Sequence, residues 1–193
     1  GLKHLDALKN IDGVEVTSIM GPTKEKIEAL AVERGINHSS TTLEECIKRS
    51  DVEAVILSTP TQMHANQAIA CMEAGKHVWC EKPLTCSYEE SKKLVSLAKK
   101  NNKMLAEAFM FLYHPQFEKL QGYIKNKSQG QVHSLNLKFG IPPLENPGFR
   151  LNHSLGGGAF WDIASYPFSA VLSLFMLVIV ILLSILDILL IKS

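Results

Sequence analysis

Residues 51–84 read DVEAVILSTPTQMHANQAIACMEAGKHVWCEKPL, and this stretch decides the predicted fold. Asp51 to Ser58 is an apolar, β-branched run typical of a buried strand, and His77 to Cys80 is a shorter one. Between them, Gln62 to Glu73 has helical periodicity and stops before Gly75. A strand, a helix and a strand in this order predict two parallel strands joined by a crossover helix.

The same alternation continues toward the amino terminus. The predicted elements there are a helix from Leu2 to Asn10, a strand from Val14 to Met20, a helix ended by Gly35, and a helix opened by a capping box of Thr42 and Glu45. They extend the pattern over the first 50 residues.

The alternation also continues downstream. Ser87 and Glu90 form a second capping box, which opens a helix, and Lys103 to Ala108 is a further strand. Residues 1–110 therefore predict an α/β domain with a doubly wound, Rossmann-like parallel sheet.

The pattern changes after residue 110. A helix from Gln116 to Lys125, a strand from Val132 to Phe139 and a Pro-rich loop precede three glycines that open another helix. Residues 111–169 are predicted to begin a second, α+β domain.

The last residues differ from the rest in charge. Only Asp187 and Lys192 are charged among the 28 residues from Tyr166 to Ser193. We assign residues 170–193 to a hydrophobic tail with three interpretations: a membrane-spanning helix, a buried helix, or non-native sequence from a truncated gene. The uncharged run of Ala170 to Leu186 is shorter than the roughly 20 residues that a membrane span needs. The expected loss of the amino-terminal strand favours the third interpretation, with a membrane anchor next.

Composition excludes several classes of protein. The formal net charge of +1 gives no electrostatic footprint for nucleic acid, and 46% hydrophobic residues are too many for a disordered chain. The spacing of the four cysteines fits neither a disulfide scaffold nor a zinc site, so no metal is predicted. Free thiols predict a cytoplasmic protein.

Three clusters of polar residues carry the candidate chemistry. Ligands of open α/β sheets lie beyond the carboxyl ends of strands. Two clusters fall at such ends: Ser58-Thr59-Pro60 with His64, and Glu81-Lys82-Pro83, in which the proline is proposed to form a cis turn. The third is the pair Asp162 and Tyr166, which share one helix face.

Each cluster also has a purely structural interpretation. Small hydroxyl residues and a proline suit a tight βα turn, and an adjacent Glu and Lys suit an exposed ion pair. Asp162 and Tyr166 suit a helix start with an aromatic packing face. Single clusters do not decide between these interpretations.

Together the clusters resemble a known family. TPTQMHANQAIACMEAGKHVWCEKPL, followed later by GGGAFWDIASYP, resembles the Gfo/Idh/MocA oxidoreductases over roughly residues 1–175. EAFMFLYHPQF is similar to the sugar and dihydrodiol dehydrogenase branches. The opening HLDALKNIDGVEV and TPTQMHA are similar to a branch that oxidises a semialdehyde of aromatic catabolism, but Lys82 argues against that branch.

The resemblance implies where a cofactor binds. Gly1 corresponds to the last glycine of the GxGxxG fingerprint, so the first strand of the fold is absent from this sequence. The implied cofactor contacts are Ser58, Thr59, Pro60, His64, Glu81, Lys82 and Trp161. Arg150 is expected to approach the cofactor or the substrate.

The resemblance also implies a reaction. It is hydride transfer between a nicotinamide and a CH–OH or carbonyl group of a sugar-like or cyclic polyol, with Lys82, Asp162 and Tyr166 as catalytic residues. The alternative is a non-catalytic piece of such an enzyme, attached to a membrane only if the tail is an anchor. Complete relatives are expected to form homo-oligomers.

The cofactor preference rests on the end of the second strand. NAD enzymes place an acid there, whereas this sequence has Thr23 and Lys24, which suit a 2′-phosphate. NADP is therefore favoured over NAD, unless Thr23 serves only as a helix cap.

Overall fold

The computed structural model of the chain describes residues 1–143, 145–152, 155 and 157–174. The chain divides into two compact units, with the boundary between Ala108 and Phe109. Most of the predicted tail, from residue 175 onward, lies outside the described residues. Within the described ranges, no helix is both long enough and apolar enough to cross a membrane.

The first unit alternates helices and strands. Its strands are β1 Ser18–Met20, β2 His38–Ser40, β3 Ala54–Leu57, β4 His77–Cys80 and β5 Leu105–Glu107. Its helices are α1 Leu2–Leu8, α2 Lys24–Arg34, α3 Leu43–Ile47, α4 His64–Glu73 and α5 Tyr88–Lys100, with a 3-10 turn at Thr61–Met63.

The strands form two parallel sheets. One has the order β1-β2 and the other the order β3-β4-β5. Helices join the strands of each parallel sheet, as in the α/β units of a Rossmann fold. The predicted doubly wound, Rossmann-like fold is confirmed.

Register aligns the carboxyl ends of three strands. Leu57 pairs with Cys80, and Cys80 pairs with Glu107. Because all three strands run in one direction, the residues that follow them emerge at the same edge of the sheet. This edge is where the two predicted clusters of the first unit lie.

The core of the three-stranded sheet is closed by α4 and α5. Ala68, Cys71 and Met72 on α4 and Leu94 on α5 are fully buried. Helix α5 begins with one half of the predicted capping box: the Ser87 side chain accepts a 3.5 Å hydrogen bond from the Glu90 amide, while the Ser87 amide donates to Thr85 Oγ1. Burial of these side chains fixes the sheet edge that carries the candidate site.

The structure corrects the sequence prediction around β2. The strand His38–Ser40 was not predicted, because its residues are polar and it forms by parallel pairing with β1. The predicted capping box of Thr42 and Glu45 is wrong, since Thr42 makes no side-chain cap bond. Instead Ser40 Oγ donates to Glu45 and accepts from the Thr42 amide.

The second unit is largely helical. It contains α6 Pro115–Asn126, 3-10 turns at Met110–Tyr113 and Gly148–Leu151, and a π-helical turn at Phe160–Ala164 that continues as an α-helix over residues 165–174. The predicted strand from Val132 to Phe139 is wrong. Its apolar side chains are exposed and no described strand pairs with it, so its backbone lacks the ladder that makes a strand.

Candidate functional site

The first unit gathers a polar cluster at the carboxyl ends of its three-stranded sheet. Ser58, Thr59 and Pro60 follow β3, Glu81 and Lys82 follow β4, and Glu107 ends β5. Ser58 is exposed, whereas Glu81 and Lys82 are half-buried. The Lys82–Pro83 peptide bond is cis, as proposed from the sequence.

His64 is buried beneath this cluster. Its Nδ1 lies 2.9 Å from the carbonyl oxygen of Pro83, and its Nε2 lies 2.8 Å from that of Thr59. A neutral imidazole carries one N–H, so the tautomer decides which of the two carbonyls accepts a hydrogen bond from the ring. His64 lies between the loop after β3 and the turn that carries Lys82, and the residue is 1% exposed.

Glu107 holds the other side of the same turn. Its Oε1 accepts a 2.7 Å hydrogen bond from the Leu84 amide. Burial raises the pKa of Glu107 above its ordinary value of 4.5, an effect opposed by the Leu84 amide and by the charges of His64 and Lys82. Sequence reasoning missed Glu107 as a site residue, although an acid that ends a strand at this edge was a usable signal.

Helix α1 contacts the cluster through its first turn. His4 Nε2 lies 2.9 Å from Glu81 Oε1, and both side chains are about 30% exposed, at 28% and 31%. A Cβ built on Gly1 would lie 3.4 Å from Ser58 Oγ, so the backbone of Gly1 passes close to the end of β3. Gly1, Ser58 and Glu81 are thus neighbours, as expected of one site.

Thr23 and Lys24 lie apart from that group, after β1. Thr23 is the N-cap residue of α2 but makes no side-chain cap bond, and Lys24 forms a long ion pair of 3.9 Å with Glu28. Both side chains are exposed. A side-chain capping bond therefore does not explain why a threonine occupies this position.

The remaining predicted residues belong to the second unit. Arg150 Nε lies 3.2 Å from Asp162 Oδ2, and the Asp162 amide donates to the carbonyl of Gly158. Trp161 meets Phe160 edge to face, with centroids 5.2 Å apart. The ion pair fixes the direction of the Asp162 carboxylate.

Tyr166 lies in an aromatic cluster of the second unit. Its ring stacks on Phe139, with centroids 4.7 Å apart, and meets the edges or tilted faces of Phe109 and Phe111. The predicted aromatic packing face at this helix is therefore present. Packing on several sides restricts the ring to one orientation.

Comparison with known proteins adds family evidence. The family described as "Oxidoreductase family, NAD-binding Rossmann fold" matches residues 1–109. A 4-carboxy-2-hydroxymuconate-6-semialdehyde dehydrogenase from Sphingobium is 45% identical over 66% of this chain and 39% of its own length. A dTDP-3,4-didehydro-2,6-dideoxy-alpha-D-glucose 3-reductase from Saccharopolyspora spinosa is 32% identical over 86% of this chain and 49% of its own.

A solved structure agrees with this assignment. The 3-ketoreductase KijD10 from Actinomadura kijaniata, in complex with NADP and TDP-benzene, matches with a TM-score of 0.81 and 31% identity. The match covers 88% of this chain and 52% of the reductase, so the chain spans about half the length of such relatives. The family resemblance inferred from the motifs is confirmed: the chain belongs to the Gfo/Idh/MocA oxidoreductases, enzymes with an NAD-binding Rossmann fold.

Proposed function

We propose that this chain contributes the nicotinamide side of an NAD(P)-dependent dehydrogenase site. The observation that carries the proposal is the Glu81-Lys82 turn, held by His64 and Glu107 at the carboxyl edge of the sheet. When bound, the nicotinamide supplies or accepts the hydride. Residues 1–110 would form the cofactor domain, and residues 111–169 would begin the substrate domain.

The residues at the sheet edge fit a dinucleotide. Ser58 and Thr59 offer hydroxyls, Glu81 a carboxylate and Lys82 an ammonium group, where open α/β sheets bind ligands. Gly1 lets the chain pass close to Ser58 without a side chain between them. Pro60, His64 and Trp161 complete the proposed set, His64 by fixing the two loops rather than by an exposed ring nitrogen.

Each of the proposed catalytic residues has a separate role in the reaction. Lys82 stabilises negative charge on the reacting oxygen, and Tyr166 exchanges the hydroxyl proton. Asp162 is held by Arg150 and orients the polar groups around it, while Arg150 also approaches the substrate. The aromatic cluster around Tyr166 limits the positions its hydroxyl can take.

For the cofactor, we favour NADP over NAD. Thr23 and Lys24 are exposed directly after β1, and the turn there contains no acidic residue to bind a ribose 2′-hydroxyl. Lys24→Ala is expected to weaken NADPH binding and leave NADH binding unchanged, with Lys26→Ala as the matched control on α2. Equal loss for both cofactors would contradict the preference.

The proposed substrate is a sugar-like or cyclic polyol, or the matching ketone. A second candidate is a semialdehyde of aromatic catabolism, and the 45% identity to the Sphingobium enzyme favours it. Lys82 favours the first candidate, because it argues against the semialdehyde branch of the family. Assays with myo-inositol, a dTDP-ketosugar and 4-carboxy-2-hydroxymuconate-6-semialdehyde distinguish the two.

Binding and turnover test separate parts of the proposal. NADPH fluorescence titration should show loss of affinity for Lys82→Ala but not for Lys92→Ala, an exposed lysine on α5. Tyr166→Phe should lower turnover at least 100-fold with unchanged cofactor affinity. The control is Tyr123→Phe on α6, which should change neither quantity.

A chain without NADPH affinity would support the alternative of a non-catalytic piece of such an enzyme.

We also propose a cytoplasmic location, supported by the free thiols of Cys46, Cys71, Cys80 and Cys86. Homo-oligomer formation by the complete enzyme remains part of the proposal and is measured by light scattering.

A further inference from the structure

The buried face of helix α4 contacts Thr59, the second residue after β3. That face consists of His64, Ala65, Gln67, Ala68, Cys71 and Met72. Two of these side chains, His64 and Gln67, carry polar groups other than a thiol, and both contact Thr59. Burying a polar side chain is costly unless it is hydrogen-bonded, so this shared partner indicates a specific role.

The two contacts reach different groups of Thr59. His64 Nε2 lies 2.8 Å from the carbonyl oxygen of Thr59. The Thr59 hydroxyl donates a 2.6 Å hydrogen bond to Gln67 Oε1. Because His64 and Gln67 are three residues apart on α4, they are neighbours on one face of the helix. Helix α4 therefore contacts both the main chain and the side chain of Thr59.

The local sequence restricts Thr59 further. Pro60 follows it, and the residue before a proline is confined mostly to extended backbone conformations. Threonine is β-branched, so few χ1 rotamers are open to it. The hydrogen bond to Gln67 selects among them. The direction of the Thr59 hydroxyl is thus set by Pro60 through the backbone and by Gln67 through the side chain.

The hydrogen bond to Gln67 also decides how the hydroxyl can meet a ligand. A threonine hydroxyl has one proton and two lone pairs. The proton of Thr59 points to Gln67 Oε1, which can only accept, and Gln67 is 9% exposed, so water competes little for it. Thr59 itself is half-buried. At the edge after β3, Thr59 Oγ1 therefore offers a hydrogen-bond acceptor.

We propose that Gln67 is a positioning residue, which orients Thr59 Oγ1 to accept a hydrogen bond from the nicotinamide nucleoside of the cofactor. The inference rests on the proposed function, from which it takes its ligand. Two groups of this nucleoside can donate, the carboxamide N–H and the ribose O–H. A phosphate oxygen has no proton to donate, so a phosphate at Thr59 would lose this contact.

The rotamer of Thr59 in the unliganded chain tests the orienting role. Three-bond couplings from the Thr59 methyl carbon to the backbone nitrogen and carbonyl carbon measure χ1. We expect one rotamer in wild type and in Gln67→Glu, whose carboxylate still accepts the proton, and averaging over rotamers in Gln67→Leu. Asn66→Leu, which replaces an exposed amide at the preceding position of α4, is the matched control and should keep one rotamer. An unchanged single rotamer in Gln67→Leu would overturn the proposal.

Cofactor titration measures the effect of that orientation. Gln67→Leu should raise the Kd for NADP⁺ about tenfold, the scale of one hydrogen bond, whereas Gln67→Glu and Asn66→Leu should stay within about twofold of wild type. The 3-acetylpyridine analogue of NADP⁺ lacks the carboxamide N–H. A loss for NADP⁺ alone would assign the donor to the carboxamide, and an equal loss for the analogue would assign it to the ribose; either result supports the proposal. An unchanged Kd for NADP⁺ in Gln67→Leu would overturn it.

A double-mutant cycle separates orientation from a general loss of structure. Thr59→Val removes the hydroxyl and should weaken NADP⁺ binding as much as Gln67→Leu, and the double variant should be no worse than either. Additive losses would mean that Gln67 acts by another route and would overturn the proposal. Absence of NADP⁺ binding by wild type would overturn the proposed function and the ligand assigned to Thr59. A rotamer change in Gln67→Leu would still establish the orienting role in that case.

Discussion

The first unit has two halves that differ in how completely they are packed. In the closed half, formed by β3, β4, β5, α4 and α5, the core residues Ala68, Cys71, Met72, Cys80 and Leu94 are all 0% exposed, and Leu57, Val78 and Ala98 keep 2–7% exposure. In the open half, formed by β1, β2, α1 and α2, the core residues Ile19, Ile27, Ala31 and Ile36 keep 6–9% exposure. A cleft of about 640 Å³, lined by residues of both halves, contributes to the difference at Ile19 and Ile27.

Residues of the closed half hold the candidate site in place, and residues of the open half border it. Lys82 lies on a turn fixed by His64 and Glu107, both anchored in the closed half. Ser58 lies beside Gly1, and Glu81 contacts His4 of α1, in the open half. We therefore expect the Lys82 turn to keep its geometry even when the open half loosens.

The largest expected contrast is in thiol reactivity. Burial raises the pKa of Cys71 and Cys80, both in the closed half, to about 12. Against the ordinary value of 9.0, this leaves about a thousandfold less thiolate at pH 8. Native-state labelling with iodoacetamide, followed by mass spectrometry, should modify cleft-lining Cys46 and half-buried Cys86 first. Cys46 lies on α3 at the cleft, so equal rates at Cys46 and Cys71 would contradict the protection of thiols in the closed half.

Truncation of core side chains should be the next largest effect. Leu94→Ala leaves a cavity in the closed half and should lower the free energy of unfolding by about 3 kcal/mol. Ile27→Ala enlarges a cleft that already exists, so it lacks most of the cavity penalty and should cost about 1–2 kcal/mol. Urea unfolding measures both, with Leu94→Met and Ile27→Val as the conservative controls. A larger loss for Ile27→Ala would contradict the comparison.

Helix caps should differ by less. Ser87 accepts a hydrogen bond from the Glu90 amide at the start of α5, so Ser87→Ala should cost about 1 kcal/mol. Thr23 occupies the same position on α2 without a side-chain bond, and Thr23→Ala should be nearly neutral. Thermal unfolding of the two variants beside wild type checks this; a Thr23→Ala loss as large as that of Ser87→Ala would not fit.

The smallest expected effect is a pH dependence at Glu107. Its pKa is raised in the folded protein, so the native state binds the proton more tightly than the unfolded chain does. As pH rises through 4.5 and then through the native pKa, wild type should lose stability relative to Glu107→Gln, and the difference should then level off. Denaturant midpoints at several pH values measure it, with exposed Glu73→Gln as the control. A difference of opposite sign would mean that the turn stabilises the carboxylate.

Sequence patterns predicted the closed half well, because its elements bury one another. The strand at His77–Cys80 has the predicted bounds, and the Ser87 cap forms as expected. The sequence patterns gave wrong predictions where strand pairing or packing between elements outweighs the preference of the local sequence. Polar His38–Ser40 becomes a strand by pairing with β1, while strand-like Val132 to Phe139 has no described partner. Glu45 likewise accepts a hydrogen bond from Ser40 at the end of β2 instead of forming the predicted capping box with Thr42.

The residues of the candidate site also divide into those that sequence patterns predicted and those that they did not. Motif spacing placed Ser58, Glu81 and Lys82 at strand ends, and the register of β3, β4 and β5 brings those ends together. The bonds of His64 to two carbonyls and of Glu107 to the Leu84 amide depend on tertiary folding, so no local pattern reveals them.

The central claim is that the edge after β3 and β4 binds a nicotinamide dinucleotide. Chemical-shift mapping on the ¹⁵N-labelled chain, titrated with NADP⁺ to millimolar concentration, tests it even if binding is weak. We expect the largest amide shifts at Ser58, Thr59, Glu81 and Lys82, and their loss in Lys82→Ala but not in Lys92→Ala. Saturable shifts confined to other residues, or none at millimolar NADP⁺, would contradict the claim.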